Sequence, residues 1–394
     1  MRVLIVTKIF PNCVEPTSSP FNRQQFAALS RLCDVEVLAT IPWFPAAGAL
    51  AKWTNVGRLA RVPARDQVDG IPVRHPRFAY LPRIGRGLNG PLYAASLAPV
   101  VLPYRGRVDA VLGAWAYPDG FASVIIAELL GVPAVIKLHG SDINVLSQWP
   151  ATRQRLKWAL TRARRIVAVS RPLAQRAAEL GAIPERVDVV PNGIDRQAFC
   201  PRDKAEARRE LGLSPDEPVV LYVGHVSEEK GAFDLVRAMA GSPALSRTKL
   251  ILVGDGAGVA GCEQLARSSG VAAQLVGAQP HAAIPTWLAA CDLLCLPSWN
   301  EGMPNVVIEA LASGRPVVAS DVGGISEVLR PGSGELVPPR NPQALGLALE
   351  RTLAAHYDPL AISQALERPS WDGSARMLHE SLLCALGDVA REAA

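Results

Sequence analysis

The sequence predicts two doubly wound α/β domains in tandem. Three observations carry this expectation: two series of short β-branched apolar runs, longer amphipathic stretches between the runs, and one charged, proline-bearing segment that separates the series. The 394 residues are too many for one comfortable core and suit two domains of roughly 150 to 200 residues each. With 49% hydrophobic and 20% charged residues, neither a disordered nor a fibrous chain is expected.

The first series consists of VLIVT (3–7), VEVLAT (35–40), DAVLGA (109–114), PAVIKLHG (133–140), RIVAVS (165–170) and VDVVPNG (187–193). The second consists of VVLYVG (219–224), LILVGDG (250–256), AQLVG (273–277), DLLCLPS (292–298) and RPVVAS (315–320). Continuous apolar runs of four to six residues are what parallel strands covered on both faces require, and the helical stretches between them supply the crossovers. Between the series, the stretch from Asp195 to about 217 loses strand character and gains charge and proline, so it is expected to be a linker. The expected organisation is therefore a first domain at 1–194, a linker at 195–217, a second domain at 218–370, and a helix at 371–394 able to pack back on the first domain. In open sheets of this kind ligands bind beyond the carboxyl ends of the strands, so both domains are expected to point their loops into a shared cleft.

The opening run MRVLIVTKIF goes straight into a strand without the features of a secretory signal. The longest nearly apolar stretch, residues 93–104, is well short of the ~20 residues a spanning helix needs. Seven cysteines are scattered without a Cys-x-x-Cys pair, and Cys291 and Cys295 fall in a run that reads as buried strand. A reducing, cytoplasmic setting is the simpler expectation. Charge is unevenly divided: residues 1–190 carry 24 Lys and Arg against 12 Asp and Glu, while 191–394 carry 17 against 24. The basic first half implies either an anionic partner or a solvated charged face. Two stretches concentrate it. RQRLKWALTRARR (153–165) reads as a helix bearing Arg153, Arg155, Lys157 and Arg162, with Trp158 and Leu156 or Leu160 for an apolar side, and RHPRFAYLPRIGRG (74–87) interleaves four arginines with Phe78 and Tyr80. Each suits an interfacial patch on an anionic membrane or a plain solvated surface, and nothing else resembles a nucleic-acid module.

The segment SWNEGMPNVVIEALASGRPVVASDVGG (298–324) holds the densest chemistry. Glu301 falls in a loop at a strand's carboxyl end, and Glu309 falls in a helix stopped by Gly314. Two carboxylates around a helix amino end suit a ligand rich in hydroxyls with some negative charge. Taken alone, Glu309 reads as a surface acid and His139 as a structural histidine. The pattern S-x-x-E-G-x-P-x-x-x-x-E-A-x-A-x-G-x-P-V-V-A-S-D-V-G-G, together with HGSD (139–142), VVPNGID (189–195), YVG and EKG (222–231) and LVGDG (252–256), closely resembles the retaining glycosyltransferases of family 4, which have the GT-B fold.

That resemblance implies a nucleoside-diphosphate sugar as co-substrate, bound by the second domain, and an acceptor glycan or glycolipid bound by the first. It implies that Glu309 accepts hydrogen bonds from ribose hydroxyls, that Glu301 with the backbone of Gly302, Met303 and Asn305 holds the sugar, that Lys230 meets the diphosphate, and that His139 sits over the reacting sugar. Gly224, His225, Gly254 and Asn192 fall in the other matching donor motifs. The family usually has Gly-Arg where this chain has Gly224-His225, so the second cation of the diphosphate clamp is missing unless Arg23, Lys8 or a protonated His225 supplies it. The loop at 10–21 also departs, carrying Ser18, Ser19 and Pro20 where many relatives have Gly-Gly. No Asp-x-Asp occurs, and no dinucleotide fingerprint follows the first strand, which disfavours a metal-dependent transferase and a dehydrogenase. The expected activity is metal-independent, retaining sugar transfer from the cytoplasmic face of the membrane. An epimerase or hydrolase of the same fold, or a silent nucleotide-sugar binder, is the alternative.

Overall fold

The computed structural model describes residues 1–45, 54–81 and 87–393, and within these the chain divides into two compact units. The first comprises Met1–Gly193 and Trp371–Ala394; the second comprises Ile194–Ser370.

The first unit is built on strands β1 (Arg2–Thr7), β2 (Asp34–Ala39), β3 (Ile41–Trp43), β4 (Arg65–Val68), β5 (Ile71–Arg74), β6 (Arg77–Ala79), β7 (Ala110–Gly113), β8 (Ala134–Leu138), β9 (Arg165–Ala168) and β10 (Val187–Val189). Eight of them form one sheet in the order β10-β9-β8-β7-β1-β2-β5-β4, and β3 and β6 form a separate ribbon. The pairs β1/β2, β1/β7, β7/β8, β8/β9 and β9/β10 are all parallel. Their residues are apolar on both faces because both faces are covered: β7 and β8 are buried at every position, and β1 after its first residue. The outer strand β4 turns antiparallel onto β5 through Asp69 (φ 50°) and Gly70 (φ 83°), the two positive-φ residues of a tight hairpin.

The second unit contains β11 (Val219–Val223), β12 (Lys249–Val253), β13 (Ala273–Gly277), β14 (Leu293–Leu296), β15 (Val317–Ser320) and β16 (Gly334–Val337), all parallel, in the order β13-β12-β11-β14-β15-β16. This is the 3-2-1-4-5-6 order of a dinucleotide-type sheet, and its direction reverses between β11 and β14. A ligand crevice is therefore expected between the loops that leave those two strands.

The helix Trp371–Ala393 belongs to the first unit. Ala375, Leu378, Leu382 and Ala385, spaced at three and four residues, are fully buried in a core that includes Phe26 and Leu29 of the helix Pro20–Leu29. The segment read as a linker at 195–217 is instead folded into the second unit. Its helix Lys204–Glu210 is capped by Asp203, and buried Arg208 donates to the Ala290 carbonyl (2.9 Å) and to Asp292 (2.8 Å). Its charge is satisfied internally, which composition alone conceals. No described helix is long and apolar enough to cross a membrane.

Candidate active site

At the carboxyl ends of the second sheet, the loops after β11 and β14 meet. Lys230 Nζ lies 2.7 Å from Glu301 Oε1, so the cation expected at a diphosphate and the acid expected at a sugar are paired with each other. Glu301 is only 12% exposed, whereas Lys230 is 36% exposed and can reach outward. The helix Asn305–Ala312 starts directly after Pro304 and turns its partly positive amino end to the same place. Glu309, on that helix, is buried, and its Oε1 stands 2.9 Å from Nε2 of His281. That hydrogen bond raises the His281 pKa above the ordinary histidine value against the cost of burial. The Phe199 ring tilts against the imidazole at 5.4 Å.

The surrounding loops are fastened by close backbone contacts. A Cβ on Gly254 (φ 147°) would stand 1.8 Å from the Gly224 carbonyl, and one on Gly323 (φ 59°) 2.3 Å from that of Glu301. The Gly302 carbonyl accepts from Gly324 N at 2.7 Å, which packs the Gly-Gly turn under the loop of Glu301. Trp299 is held at both ends of its side, Nε1 donating to Asp234 (2.8 Å) and the Arg340 guanidinium lying 4.2 Å from the ring centroid. Met303 is buried, with its sulfur 3.7 Å from Arg368. His225 points outward, 59% exposed, with Nδ1 4.0 Å from Asp255, while its carbonyl is fixed by the Tyr222 hydroxyl at 2.8 Å.

In the first unit His139 follows β8 directly. The amides of His139 (3.1 Å), Gly140 (2.7 Å) and Ala116 (2.9 Å) converge on the buried carboxyl of Asp142, so the HGSD turn is organised by its own aspartate. The His139 ring bonds to the Ala114 carbonyl, and its Nε2 is buried without a hydrogen-bond partner. Phe21 (4.9 Å) and Trp115 (5.8 Å) flank the ring, and Lys8 lies over Trp115 at 5.4 Å. Lys8 and Tyr117 also line a cavity of about 410 Å³ whose other walls include Phe78, Tyr80, Leu146 and Trp149.

Arg23 is engaged by Asp69 through Nε and Nη2, both at 2.7 Å, in an exposed pair. Asn192, grouped with the donor residues, is a buried residue of the first unit. In the helix Pro150–Arg162 the apolar side is consumed by the fold: Leu156 and Leu160 are buried and Trp158 packs on Phe121 at 5.1 Å. Arg153, Lys157 and Arg162 remain exposed, with Arg155 partly so. Arg83 and Arg86 of the second basic stretch lie outside the described residues. His281 was not singled out from the sequence; the available signal was its position in the turn just after the 273–277 strand. Among the described residues no group of three or more His, Cys, Asp or Glu is placed to hold a metal ion.

Both halves match known families. The family described as Glycosyl transferases group 1 matches residues 203–365, and Glycosyltransferase Family 4 matches 28–198. The chain belongs to glycosyltransferase family 4. This glycosyltransferase is 31% identical over 359 residues, 89% of each chain, to the putative teichuronic acid biosynthesis glycosyltransferase TuaC of Bacillus subtilis. It is 34% identical over 289 residues to the D-inositol 3-phosphate glycosyltransferase of Segniliparus rotundus, covering 68% of this chain and 64% of that one. Its GT-B fold is shared with the sucrose-phosphate synthase of Thermosynechococcus elongatus (TM-score 0.73, 22% identity, 100% and 99% of the two chains). Anabaena HepE, solved with UDP and glucose, is also similar (TM-score 0.71, 22% identity, 97% and 99%).

Proposed function

We propose that this glycosyltransferase moves a sugar, with retention and without a metal, from a nucleoside-diphosphate sugar to a hydroxyl of a lipid-linked cell-envelope precursor at the cytoplasmic face of the membrane. The observation that carries the donor side is the Lys230–Glu301 pair, formed by the loops after β11 and β14 where the second sheet reverses and just before the helix that bears Glu309. An incoming diphosphate competes with Glu301 for Lys230, drawing the ammonium to the leaving oxygen and freeing the carboxylate for sugar hydroxyls. Glu309, held by His281, accepts from the ribose. Glu301 and Glu309 are each engaged with a cation or hydrogen-bond donor, which favours front-face substitution over a covalent intermediate. The bond from C1 to the diphosphate oxygen breaks, the acceptor oxygen bonds to C1 on the same face, and the departing diphosphate takes the acceptor's proton. Charge building on the diphosphate is met by Lys230 and the helix end. His139 Nε2, lacking a protein partner, is suited to accept from a hydroxyl of the transferred sugar.

The acceptor side rests on the aromatic-lined cavity of the first unit, the exposed basic residues of the helix Pro150–Arg162, and the likeness to TuaC, whose name assigns it to teichuronic acid biosynthesis. Nucleoside diphosphate release from UDP-, GDP- and ADP-sugars with an envelope lipid extract tests the reading. Release from one donor that needs the extract, survives EDTA and yields a retained anomer supports it; unchanged release by Glu309→Ala refutes the donor site.

His225 favours a second reading, a binder that holds the donor without transfer, because the diphosphate then lacks its second permanent cation. If the missing permanent cation limits catalysis, His225→Arg raises the rate of transfer severalfold, and an unchanged rate removes position 225 from the clamp.

A further inference from the structure

Lys137, two residues before His139 on β8, is fully buried, and its nearest partners are uncharged. Its ammonium donates to the side-chain oxygens of Gln25 and Asn22, the latter at 3.4 Å, and lies 5.9 Å from the Phe26 ring centroid. The two amides are themselves fixed: Asn22 donates to the Ile9 carbonyl (3.1 Å), and Gln25 to Ser374 (2.8 Å), whose hydroxyl donates to the Pro191 carbonyl (2.6 Å). Burying an ammonium among amides is costly, and an apolar side chain would fill the same site without that cost. Nothing in the sheet demands the charge, since Val135, Ile136 and Leu138 on the same strand are ordinary core residues.

What the lysine does have is a relation to His139. Residues two apart in extended backbone project to one face, roughly 7 Å apart. The helix Pro20–Leu29 touches both: Phe21 packs on the imidazole, and Asn22, Gln25 and Phe26 surround the ammonium. We propose that Lys137 is a positioning residue for sugar transfer: caged by Gln25 and Asn22, it keeps His139 uncharged, with the proton on Nδ1 toward Ala114 and the Nε2 lone pair claimed by no protein donor and left for a substrate hydroxyl. This rests on the reading of His139 as a substrate contact.

The electrostatics agree with the geometry. Burial lowers Lys137 to about 7, partly opposed by Asp142, and burial followed by the Lys137 charge pushes His139 well below its ordinary value. The proton taken up near neutrality therefore goes to Lys137 rather than to His139. The other charged groups at this end are Lys8, across the Trp115 ring, and Asp119, whose buried carboxyl is raised to about 7.

The experiment pairs imidazole nitrogen NMR of the whole chain, from pH 5.5 to 8, with pH profiles of nucleoside diphosphate release for wild type and Lys137→Met. In wild type His139 stays neutral with its proton on Nδ1, and turnover shows no His139 limb on the acid side. In Lys137→Met the imidazole, still lowered by burial, takes up its proton at a higher pH than in wild type, and turnover falls about tenfold per pH unit below that point. Donor affinity stays unchanged. Profiles that drop by one constant factor at every pH, or an unaltered His139 titration in the variant, overturn the proposal and leave Lys137 a packing residue. Should the variant not fold, wild type alone decides: an imidazolium at pH 6 or a proton on Nε2 overturns it. Loss of transfer in Glu309→Ala but not in His139→Ala would remove His139 from the substrate instead, without touching the donor reading.

Discussion

His281 Nε2 at 2.9 Å from Glu309 makes the carboxylate proposed for the ribose a member of a pair, and this has a pH signature. The pair raises the histidine pKa, so its charge-assisted contribution is fully present below the unperturbed ~6.5 and is lost as pH rises through the raised value. His281→Gln should weaken nucleoside diphosphate binding about tenfold at pH 6, ~1.4 kcal/mol, and flatten the pH dependence of affinity. Calorimetry at pH 6 and 8 checks both; equal affinities for variant and wild type would show that Glu309 needs no support. Lys137 behaves with the opposite sign. Its folded pKa of about 7 lies below the ordinary lysine value of 10.5, so the unfolded chain holds a proton the folded chain lacks between those limits, and stability gains up to ~1.4 kcal/mol per pH unit as pH rises through them. Buried thiols such as Cys291, pushed up to about 12, pull the other way above pH 9. The difference between wild type and Lys137→Met in chemical unfolding at pH 7 and pH 9 isolates the lysine, and a difference independent of pH would contradict its buried charge. Glu301, Glu309 and Lys230 were singled out in the sequence because motifs carry them. Lys137, His281 and Phe199 were not, because their meaning comes from Gln25, Glu309 and His281 respectively, which lie far away in the chain.

Elements show the same division between local and distant causes. The eleven strands of the two series were readable as apolar runs, the inner ones because parallel strands covered on both faces need no polar side, although the edge strands β10 and β13 are only partly buried. The peripheral ones were not: β5 (IPVR) and β4 (RDQV) alternate, β3 carries Pro42, and β16 starts at Gly334. The Asp-Gly turn at 69–70 was the one clear hairpin signal in that region and names the pair β4/β5 by itself. The segment at 195–217 misled for a physical reason, since Arg208 and Asp292 neutralise each other out of sight of composition. The helix Trp371–Ala393 carries its own test. Leu378 is fully buried against the first unit's core, so Leu378→Ala should cost about 2–5 kcal/mol by loss of transfer energy and cavity formation. Urea unfolding should show that loss in the transition of the first unit, and a cost below ~1 kcal/mol would mean the helix end is only loosely docked.

For the whole molecule, the boundary at Gly193/Ile194 and the return at Ser370/Trp371 assign function to parts. Lys230, Glu301, His281 and Glu309 all belong to the second unit, and so do the residues that hold them: Asp234 and Arg340 at Trp299, Gly324 at Gly302, and Phe199 at His281. The unit also has its own continuous parallel sheet with β11, β12 and β14 buried at nearly every position, enough core for a domain of this size. A chain spanning 194–370 should therefore fold alone and bind the nucleoside diphosphate within about tenfold of the full protein's affinity, with binding lost in its Glu309→Ala variant. It should not transfer sugar, because His139 and the aromatic-lined cavity belong to the other unit. A chain cut at 217 instead of 194 should fare worse, because it leaves Asp292 without Arg208 and His281 without Phe199. If the 194–370 chain is folded by circular dichroism yet binds no nucleoside diphosphate while the full protein does, an essential donor contact comes from the first unit, and Asn192 is the first residue to restore.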